Sequence, residues 1–288
     1  MGFLALLLVI TQPPPDTGLR ARLEARIAAS GARVGVYFSD LSRGDSLLVG
    51  AGTRFHAAST MKVPVMIQLY RDRDAGRLSL DDSIPVTNTF RSIVDSSTYQ
   101  LDRADDSDSS LYARVGGKAS IRELVELMET VSSNLATNLL IARVGAERAH
   151  ATAHALGADS IVVLRGVEDG KAYRAGMNNT TTARDLGVLL AAIAQDRAAS
   201  PAACREMLAI LGRQQFNEGI PAGLPPGTRV YHKTGWIGTV VYHDAAIVEL
   251  AGGRRYVLAV LTGGIQRDED AYRLVSDVSR IVWEGVGK

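Results

Sequence analysis

Ser59 and Lys62 are three residues apart, so on an α-helix their side chains would be neighbours on one face. The residues that follow, 63–70, are apolar on nearly every side, which predicts a helix that is buried all round. Pro64 falls in the first turn of that helix, where a missing N–H costs little. Burial makes a lysine lose its proton more readily, because it disfavours the charged form. Lys62 could then act as the base that activates the Ser59 hydroxyl as a nucleophile.

The start of this helix would also supply unpaired backbone N–H groups and the positive end of the helix dipole. Both stabilise the negative charge that develops on the oxygen of an attacked carbonyl. The same four residues, Ser59-Thr60-Met61-Lys62, also fit a serine that caps a helix and a lysine whose charged end reaches solvent. The motif therefore indicates acyl transfer only if other parts of the chain supply further groups.

Two further motifs lie at the ends of predicted elements. Ser132-Ser133-Asn134 falls on the turn between two predicted helices, and Lys233-Thr234-Gly235 ends a predicted strand. Each also has a structural interpretation: the first fits a helix N-cap, and the second fits a strand end with a turn glycine. The three motifs are more informative together. If the elements that carry them meet at one cleft, a second hydroxyl, an amide and a second ammonium would join Ser59 and Lys62.

The elements that must position these groups are strands near both ends of the chain and helices between them. Apolar periodicity predicts five strands, five helices after the buried one that follows Lys62, and a helix at each end. The strands are 34–38, 46–49, 229–234, 244–250 and 255–261; the helices are 18–30, 120–130, 135–144, 146–156, 182–195, one beginning at 200, and 268–283. This predicts an α+β fold: a five-stranded antiparallel sheet flanked by N- and C-terminal helices, with an inserted all-helical lobe.

The predicted organisation is a sheet lobe of residues 17–55 and 226–288, an all-helical lobe of residues 56–225, and a ligand cleft between them. Residues 1–16 are predicted to be a leader, because the apolar run 2–10 resembles the core of a signal peptide and is too short to span a bilayer. Neither a preceding cation nor a clear cleavage site accompanies it, so a misplaced start or a truncated leader is the alternative. We expect a monomer that is periplasmic or secreted.

Composition is that of an ordinary globular protein, with 46% apolar and 22% charged residues in a chain of 288. A net charge of +1 without a basic block gives no reason to expect a nucleic-acid or membrane partner. The single cysteine, Cys204, excludes an internal disulfide and is predicted to be a buried, unreactive thiol.

Neither acidic nor histidine clusters predict a metal. Four aspartates lie between residues 102 and 108, namely Asp102, Asp105, Asp106 and Asp108. They lack the glycine and the terminal glutamate of a calcium loop, so we expect a solvated surface loop. His150 and His154 would share a helix face, but no glutamate lies between them and no third ligand is evident. No metal or cofactor is predicted.

The three motifs in this order resemble those of class A β-lactamases and penicillin-binding proteins. The resemblance covers most of the chain, from about Leu19 to Trp283. The matching stretches are 54–62, 132–140, the threonines 180–182 and 233–235.

The resemblance implies a role for each candidate residue. Ser59 would be acylated with Lys62 as proton acceptor, and Ser132 would pass a proton to the departing nitrogen beside Lys233. The carboxylate of the substrate would be bound by Lys233, Thr234 and Gly235. Asn134 would bind the amide of the acyl side chain, and the backbone N–H groups of Ser59 and Trp236 would form the oxyanion hole.

The chain departs from the class A pattern where that pattern places the base for deacylation. Counted back from Thr180 without gaps, the expected glutamate position holds Gly166, and Glu168 lies two residues further on. Ser133 also stands where class A enzymes usually carry aspartate. Two interpretations of Glu168 stay open: the base that activates water, or a surface carboxylate paired with Arg165 or Lys171.

The resemblance implies a serine hydrolase, and the main hypothesis is a class A type β-lactamase that acts through an acyl-enzyme on Ser59. The alternative is a D-alanyl-D-alanine carboxypeptidase, or a penicillin-binding protein with slow turnover, acting on peptidoglycan stem peptides. A sensor that kept the fold without catalysis is a third hypothesis, disfavoured by the complete set of serines and lysines.

Overall fold

The structure is a computed structural model and describes residues 17–286. The predicted leader, residues 1–16, lies outside the described residues. Within them the helices are α1 (Thr17–Ala28), α2 (Lys62–Asp74), α3 (Ile121–Thr130), α4 (Asn134–Val144), α5 (Ala146–Ala155), α6 (Gly170–Arg174), α7 (Ala183–Ala194), α8 (Pro201–Leu211) and α9 (Asp268–Val286). The strands are β1 (Arg33–Asp40), β2 (Ser46–Val49), β3 (Phe55–His56), β4 (Ser83–Pro85), β5 (Phe90–Arg91), β6 (Thr98–Tyr99), β7 (Lys118–Ser120), β8 (Thr180–Thr181), β9 (Val230–Ile237), β10 (Val241–Glu249) and β11 (Arg255–Gly263).

The predicted five-stranded antiparallel sheet is confirmed, with strand order β2-β1-β11-β10-β9. Strands β9 and β10 are longer than expected, since β9 continues beyond Gly235 and pairs Trp236 with Tyr242 of β10. Side chains alternate between the faces of a strand, and both faces of this sheet are buried. In β11 the alternation separates Tyr256, Leu258 and Val260 on one face from Val257, Ala259 and Leu261 on the other.

Helices from the two ends of the chain cover one face of the sheet, as predicted. Leu23 of α1 packs in one apolar cluster with Leu274 and Val278 of α9. Helix α7 packs against the opposite face, where Gly187 lies so close to Tyr37 that a Cβ at this position would be 2.1 Å from the tyrosine ring. The sheet is therefore held between the terminal helices and the inserted segment.

The inserted segment is organised around α2, the helix that begins at Lys62. Every residue from Met61 to Tyr70 is buried, as the apolar run predicted. The segment also contains short strand pairs that the sequence analysis did not predict, β4 with β7 and β5 with β6, and β8 pairs with β3. No helix among residues 17–286 is long and apolar enough to cross a membrane.

The prediction of a solvated loop at residues 102–108 is wrong for Asp106. This residue is 9% exposed, and its carboxylate accepts the backbone N–H groups of Asn134 and Leu135 and the hydroxyl of Tyr112. Asp102 and Asp105 are exposed as expected. A carboxylate that meets the first N–H groups of a helix satisfies donors that have no partner within the helix, so Asp106 fastens this loop to the start of α4.

Candidate active site

Ser59 lies on a 3-10 turn, Ala58–Met61, that leads directly into α2. The turn is conformationally strained, because Ala58 has a φ of 46°, which a non-glycine residue rarely adopts. Ser59 is half-buried and opens into a cleft of about 300 Å³ that Asn134, Glu168 and Trp236 also line. The strained turn thus holds the serine at the wall of a cleft large enough for a small ligand.

Lys62 is fully buried one turn further on. Its Nζ lies 2.6 Å from the backbone oxygen of Ser132, 3.0 Å from the Ser132 hydroxyl and 3.0 Å from Oδ1 of Asn134. Burial, and next the charge of Lys233, lower the pKa of Lys62 well below its ordinary value, although nearby carboxylates oppose the shift. Among the described residues, Lys62 donates to Ser132 and Asn134 rather than to the Ser59 hydroxyl. Catalytic hydrogen bonds of this kind often form only once substrate is bound.

The Ser132 hydroxyl lies between two lysines. Lys233 Nζ is 3.1 Å from the Ser132 Oγ, and Lys62 Nζ approaches the same oxygen from α2. A hydroxyl has two acceptor lone pairs and one proton, so two N–H donors leave that proton available to a third group. Ser132 itself has a φ of 60°, another strained conformation at the site. The arrangement is suited to passing a proton to an atom in the cleft.

Lys233 is also fully buried, in the edge strand β9. Burial lowers its pKa, whereas the carboxylates of Glu129 and Asp244 raise it. Its Nζ donates to the backbone oxygen of Thr234 at 3.0 Å as well as to Ser132. A Cβ added at Gly235 would lie 3.2 Å from the backbone nitrogen of Thr60, so β9 runs in close contact with the turn that carries Ser59.

Trp236 follows Gly235 on β9 and lines the same cleft as Ser59. Trp236 is 53% exposed, and its indole Nε1 donates to Asp268 at 3.0 Å. The strand therefore places Trp236 at the wall of the cleft that Ser59 also lines.

Glu168 lines the cleft, and neither of the predicted surface partners binds it. Asn134 donates from Nδ2 to Oε1 of Glu168 at 2.6 Å. The paired-surface interpretation is thus wrong, because Arg165 donates to Gly166, Met177 and Asn178, and Lys171 donates to Asp95 and Ser97. Burial raises the pKa of Glu168, and the nearby Asp106 and Asp105 raise it further against the effect of hydrogen bonds from Asn134 and the backbone of Asp102.

Asn134 links Glu168 to Lys62, since its amide oxygen accepts from the lysine and its amide nitrogen donates to the carboxylate. The reverse orientation would place two donors together at Lys62 and two acceptors together at Glu168, so the partners fix the orientation of the amide. Ser133, between the two motif residues, caps α4 by accepting the N–H of Ala136 at 3.3 Å.

Glu129 is a charged group of the site that the sequence analysis missed. It is 1% exposed, and neither carboxylate oxygen has a hydrogen-bond partner among the described residues. Burial raises its pKa, while Lys233 and Lys62 lower it. Its spacing could have revealed it, because Ile121, Val125 and Glu129 follow at intervals of four on the buried face of α3.

An accessible serine, a buried lysine one turn away and a second serine held between two lysines can together attack a carbonyl and protonate a leaving nitrogen. The fold and this site define the class: the protein is a serine hydrolase. Residues 18–286 match the model of the β-lactamase enzyme family, and the chain belongs to that family.

Individual relatives agree with this assignment. A β-lactamase of Streptomyces albus G is 27% identical over 273 residues, which are 92% of this chain and 84% of the relative. The crystal structure of a β-lactamase from Sphaerobacter thermophilus superposes with a TM-score of 0.79 at 29% identity, covering 94% of this chain and 97% of that one. PBP-A superposes with a TM-score of 0.80 at 31% identity, covering 95% and 98%. A mutant of PBP-A has been solved as an acyl-enzyme complex with penicillin G.

Proposed function

We propose that the protein opens β-lactam rings through an acyl-enzyme on Ser59. The observation that carries this proposal is the Ser132 hydroxyl, which accepts from Lys62 and Lys233 beside the cleft that Ser59 lines. Strong burial of both lysines supports it further, because a lysine with a lowered pKa can serve as a base near neutrality.

In the acylation step, Lys62 accepts the proton of Ser59 while the Ser59 oxygen bonds to the lactam carbonyl carbon. The backbone N–H groups of Ser59 and Trp236 stabilise the carbonyl oxygen as it becomes negative. The bond between carbonyl carbon and lactam nitrogen then breaks, and Ser132 gives its proton to that nitrogen. Ser132 regains a proton from the neighbouring lysines. Lys233, Thr234 and Gly235 bind the carboxylate of the substrate.

Deacylation requires a water molecule that loses a proton as it attacks the ester. Glu168 is the proposed base for this step, because it lines the cleft and its raised pKa makes it a stronger proton acceptor than an ordinary carboxylate. The carboxylate would return that proton when the ester bond to Ser59 breaks. The product then leaves, and the Ser59 hydroxyl is restored.

The second candidate function is a D-alanyl-D-alanine carboxypeptidase or a penicillin-binding protein with slow turnover. The hydrogen bond between Asn134 and Glu168 favours it, since a carboxylate held by an amide has less freedom to activate water. The likeness to PBP-A, a mutant of which forms an acyl-enzyme with penicillin G, also supports trapping as an alternative to turnover.

Time-resolved intact mass after mixing with benzylpenicillin separates these functions. A β-lactamase is expected to show an adduct that appears and decays while the bulk penicillin is hydrolysed, and Ser59→Ala is expected to abolish both. A persistent adduct would favour the second candidate, which cleavage of a D-Ala-D-Ala peptide would then support. No adduct with any β-lactam would overturn the proposal and favour a sensor without catalysis.

We also propose that the protein acts as a monomer outside the cytoplasm, where β-lactams and peptidoglycan stem peptides are encountered. Cell fractionation of the full chain is expected to recover it from the periplasm or medium, shortened at its N-terminus. Light scattering of the purified protein is expected to give the mass of one chain. Recovery only from the cytoplasm would contradict the proposed location.

A further inference from the structure

The wall of the cleft on the side of Asn134 is acidic. Glu168 accepts hydrogen bonds from the amide of Asn134 and the backbone of Asp102, both of which are neutral donors. Asp105 and Asp106 lie close enough to raise the pKa of Glu168 by their charge. The Glu168 carboxylate forms no ion pair among the described residues, although Lys62 lies close enough for the two charges to interact, and it faces the cleft where a ligand would lie.

The amide nitrogen of Asn134 is already engaged. On the proposed function, this amide would meet the side chain of the acyl group, but it donates to the carboxylate of Glu168 at 2.6 Å. The amide oxygen is likewise engaged by Lys62 at 3.0 Å. An acyl side chain that enters here consequently meets a carboxylate acceptor in addition to, or in place of, an amide donor.

Neither arginine that lines this part of the cleft pairs with Glu168. Arg165 is 5% exposed and donates to the backbone oxygens of Met177 and Gly166 and to Asn178. Arg174 also lines the cleft and is exposed, so it retains its hydration. Neither forms an ion pair with Glu168 among the described residues, which leaves the carboxylate to be matched by a ligand.

We propose that Glu168 and Asn134 form a subsite that selects substrates with an ammonium group next to the amide of the acyl side chain. The proposal rests on the proposed function, because it assigns the substrate class of that same site. The recognised chemistry is a primary ammonium within reach of the Glu168 carboxylate, as in an α-amino penicillin or the free amine of a peptide. A half-buried carboxylate gains most from such a partner, because burial otherwise disfavours its charge.

Three penicillins that differ only in the substituent on one carbon test the proposed subsite. Benzylpenicillin carries hydrogen on the carbon next to the acyl amide, ampicillin carries an ammonium there, and carbenicillin carries a carboxylate. The measured quantity is the second-order rate of acylation of Ser59, followed by intact mass before deacylation contributes. Ampicillin is expected to acylate about fivefold faster than benzylpenicillin, and carbenicillin more slowly, as for a partly exposed ion pair.

Glu168→Gln keeps the shape of the side chain and removes its charge, so the three rates are expected to converge to within about twofold. Glu147→Gln, which removes an exposed carboxylate on α5, is the matched control and is expected to keep the order of the wild type. Equal rates in the wild-type protein, or an order unchanged in Glu168→Gln, would overturn the subsite. If Glu168→Gln does not fold, the order of the three acylation rates in the wild-type protein decides whether the subsite exists. Failure of the proposed function is a different result, the absence of any adduct on Ser59 with all three penicillins.

Discussion

The carboxylate of Asp106 accepts the backbone N–H of Asn134 at 2.9 Å, although the two residues are 28 apart in the chain. The same carboxylate accepts the N–H of Leu135, so one side chain satisfies the first two donors of α4. Asn134 in turn contacts both Lys62 and Glu168. Asp106 is therefore a positioning residue, which acts on the cleft through the backbone of Asn134.

Asp106→Asn is expected to lower the free energy of unfolding by about 1–3 kcal/mol, because an amide donor would then face a buried N–H group. Acylation by benzylpenicillin is expected to slow as well, since the turn that carries Asn134 loses its anchor. Asp105→Asn removes a neighbouring exposed carboxylate and is expected to change the unfolding free energy by no more than about 0.5 kcal/mol. Urea unfolding of the three proteins measures the difference. Equal destabilisation by the two changes would contradict the anchoring role.

The sheet and its covering helices were predictable because long elements carry a strong periodic signal. The continuous apolar run of β11 and the apolar stripe of α9 each extend over many residues, so chance patterns compete poorly with them. The short pairs β4 with β7 and β5 with β6 have two or three residues in each strand, too few for a period to appear. Their pairing, rather than a pattern within either strand, defines these elements.

The site was predictable where its chemistry depends on neighbours along the chain, and not where it depends on distant contacts. The spacing of Ser59 and Lys62 placed both at the start of a buried helix. Asp106 was misjudged because an aspartate among polar residues looks solvated until the helix that it caps is known. The partner of Glu168 could not be predicted either, because Asn134 lies 34 residues away on another element.

Removal of the amine from Lys62 is expected to slow acylation of Ser59 by roughly 10²-fold or more, as for loss of a general base. Lys62→Ala makes this change, and Lys62→Met repeats it while filling the space of the buried stem. The rate of adduct formation with benzylpenicillin is the measurement. Lys118→Ala, at an exposed lysine, is expected to acylate at the wild-type rate. An unchanged rate in both Lys62 variants would remove this residue from the role of base.

Gly235→Ala is expected to weaken the site by separating β9 from the turn that carries Ser59. The added methyl group would lie 3.0 Å from Cγ2 of Thr60 and 3.2 Å from Cβ of Ala58, closer than side chains normally pack. Overpacking of this kind costs about 1–3 kcal/mol, and here the strain would move the two walls of the cleft apart. Acylation by benzylpenicillin is therefore expected to slow by about tenfold or more, at a cost of about 1.4 kcal/mol per factor of ten.

The matched control is Gly52→Ala, where a Cβ would meet nothing within 4 Å. This variant is expected to acylate as fast as the wild type. If Gly235→Ala also retained the full rate, close contact between β9 and the turn would not matter for acylation, and the site would tolerate a wider cleft than the geometry implies.

Glu129 gives a prediction about stability and pH, because burial raises its pKa above the ordinary value of 4.5. The folded protein then binds a proton at this carboxyl more tightly than the unfolded chain does. The resulting stability is fully present below pH 4.5 and is lost as the pH rises through the folded-state pKa. Glu129→Gln removes this titration, so the variant is expected to gain stability relative to the wild type as the pH rises from about 4.5 to above the folded-state pKa of about 7. The gain is about 1.4 kcal/mol for every factor of ten by which folding tightens proton binding at Glu129.

Thermal or urea unfolding of both proteins at the two pH values measures this gain, and Glu147→Gln, at an exposed carboxylate, is expected to show none. The same difference in stability at both pH values would mean that Glu129 does not titrate between them. The expected gain would show that the buried carboxylate of Glu129 lowers the free energy of unfolding of the wild-type protein above neutral pH. The reason lies beside it, because the charge of Glu129 raises the pKa of Lys233 and so stabilises the ammonium that faces Ser132.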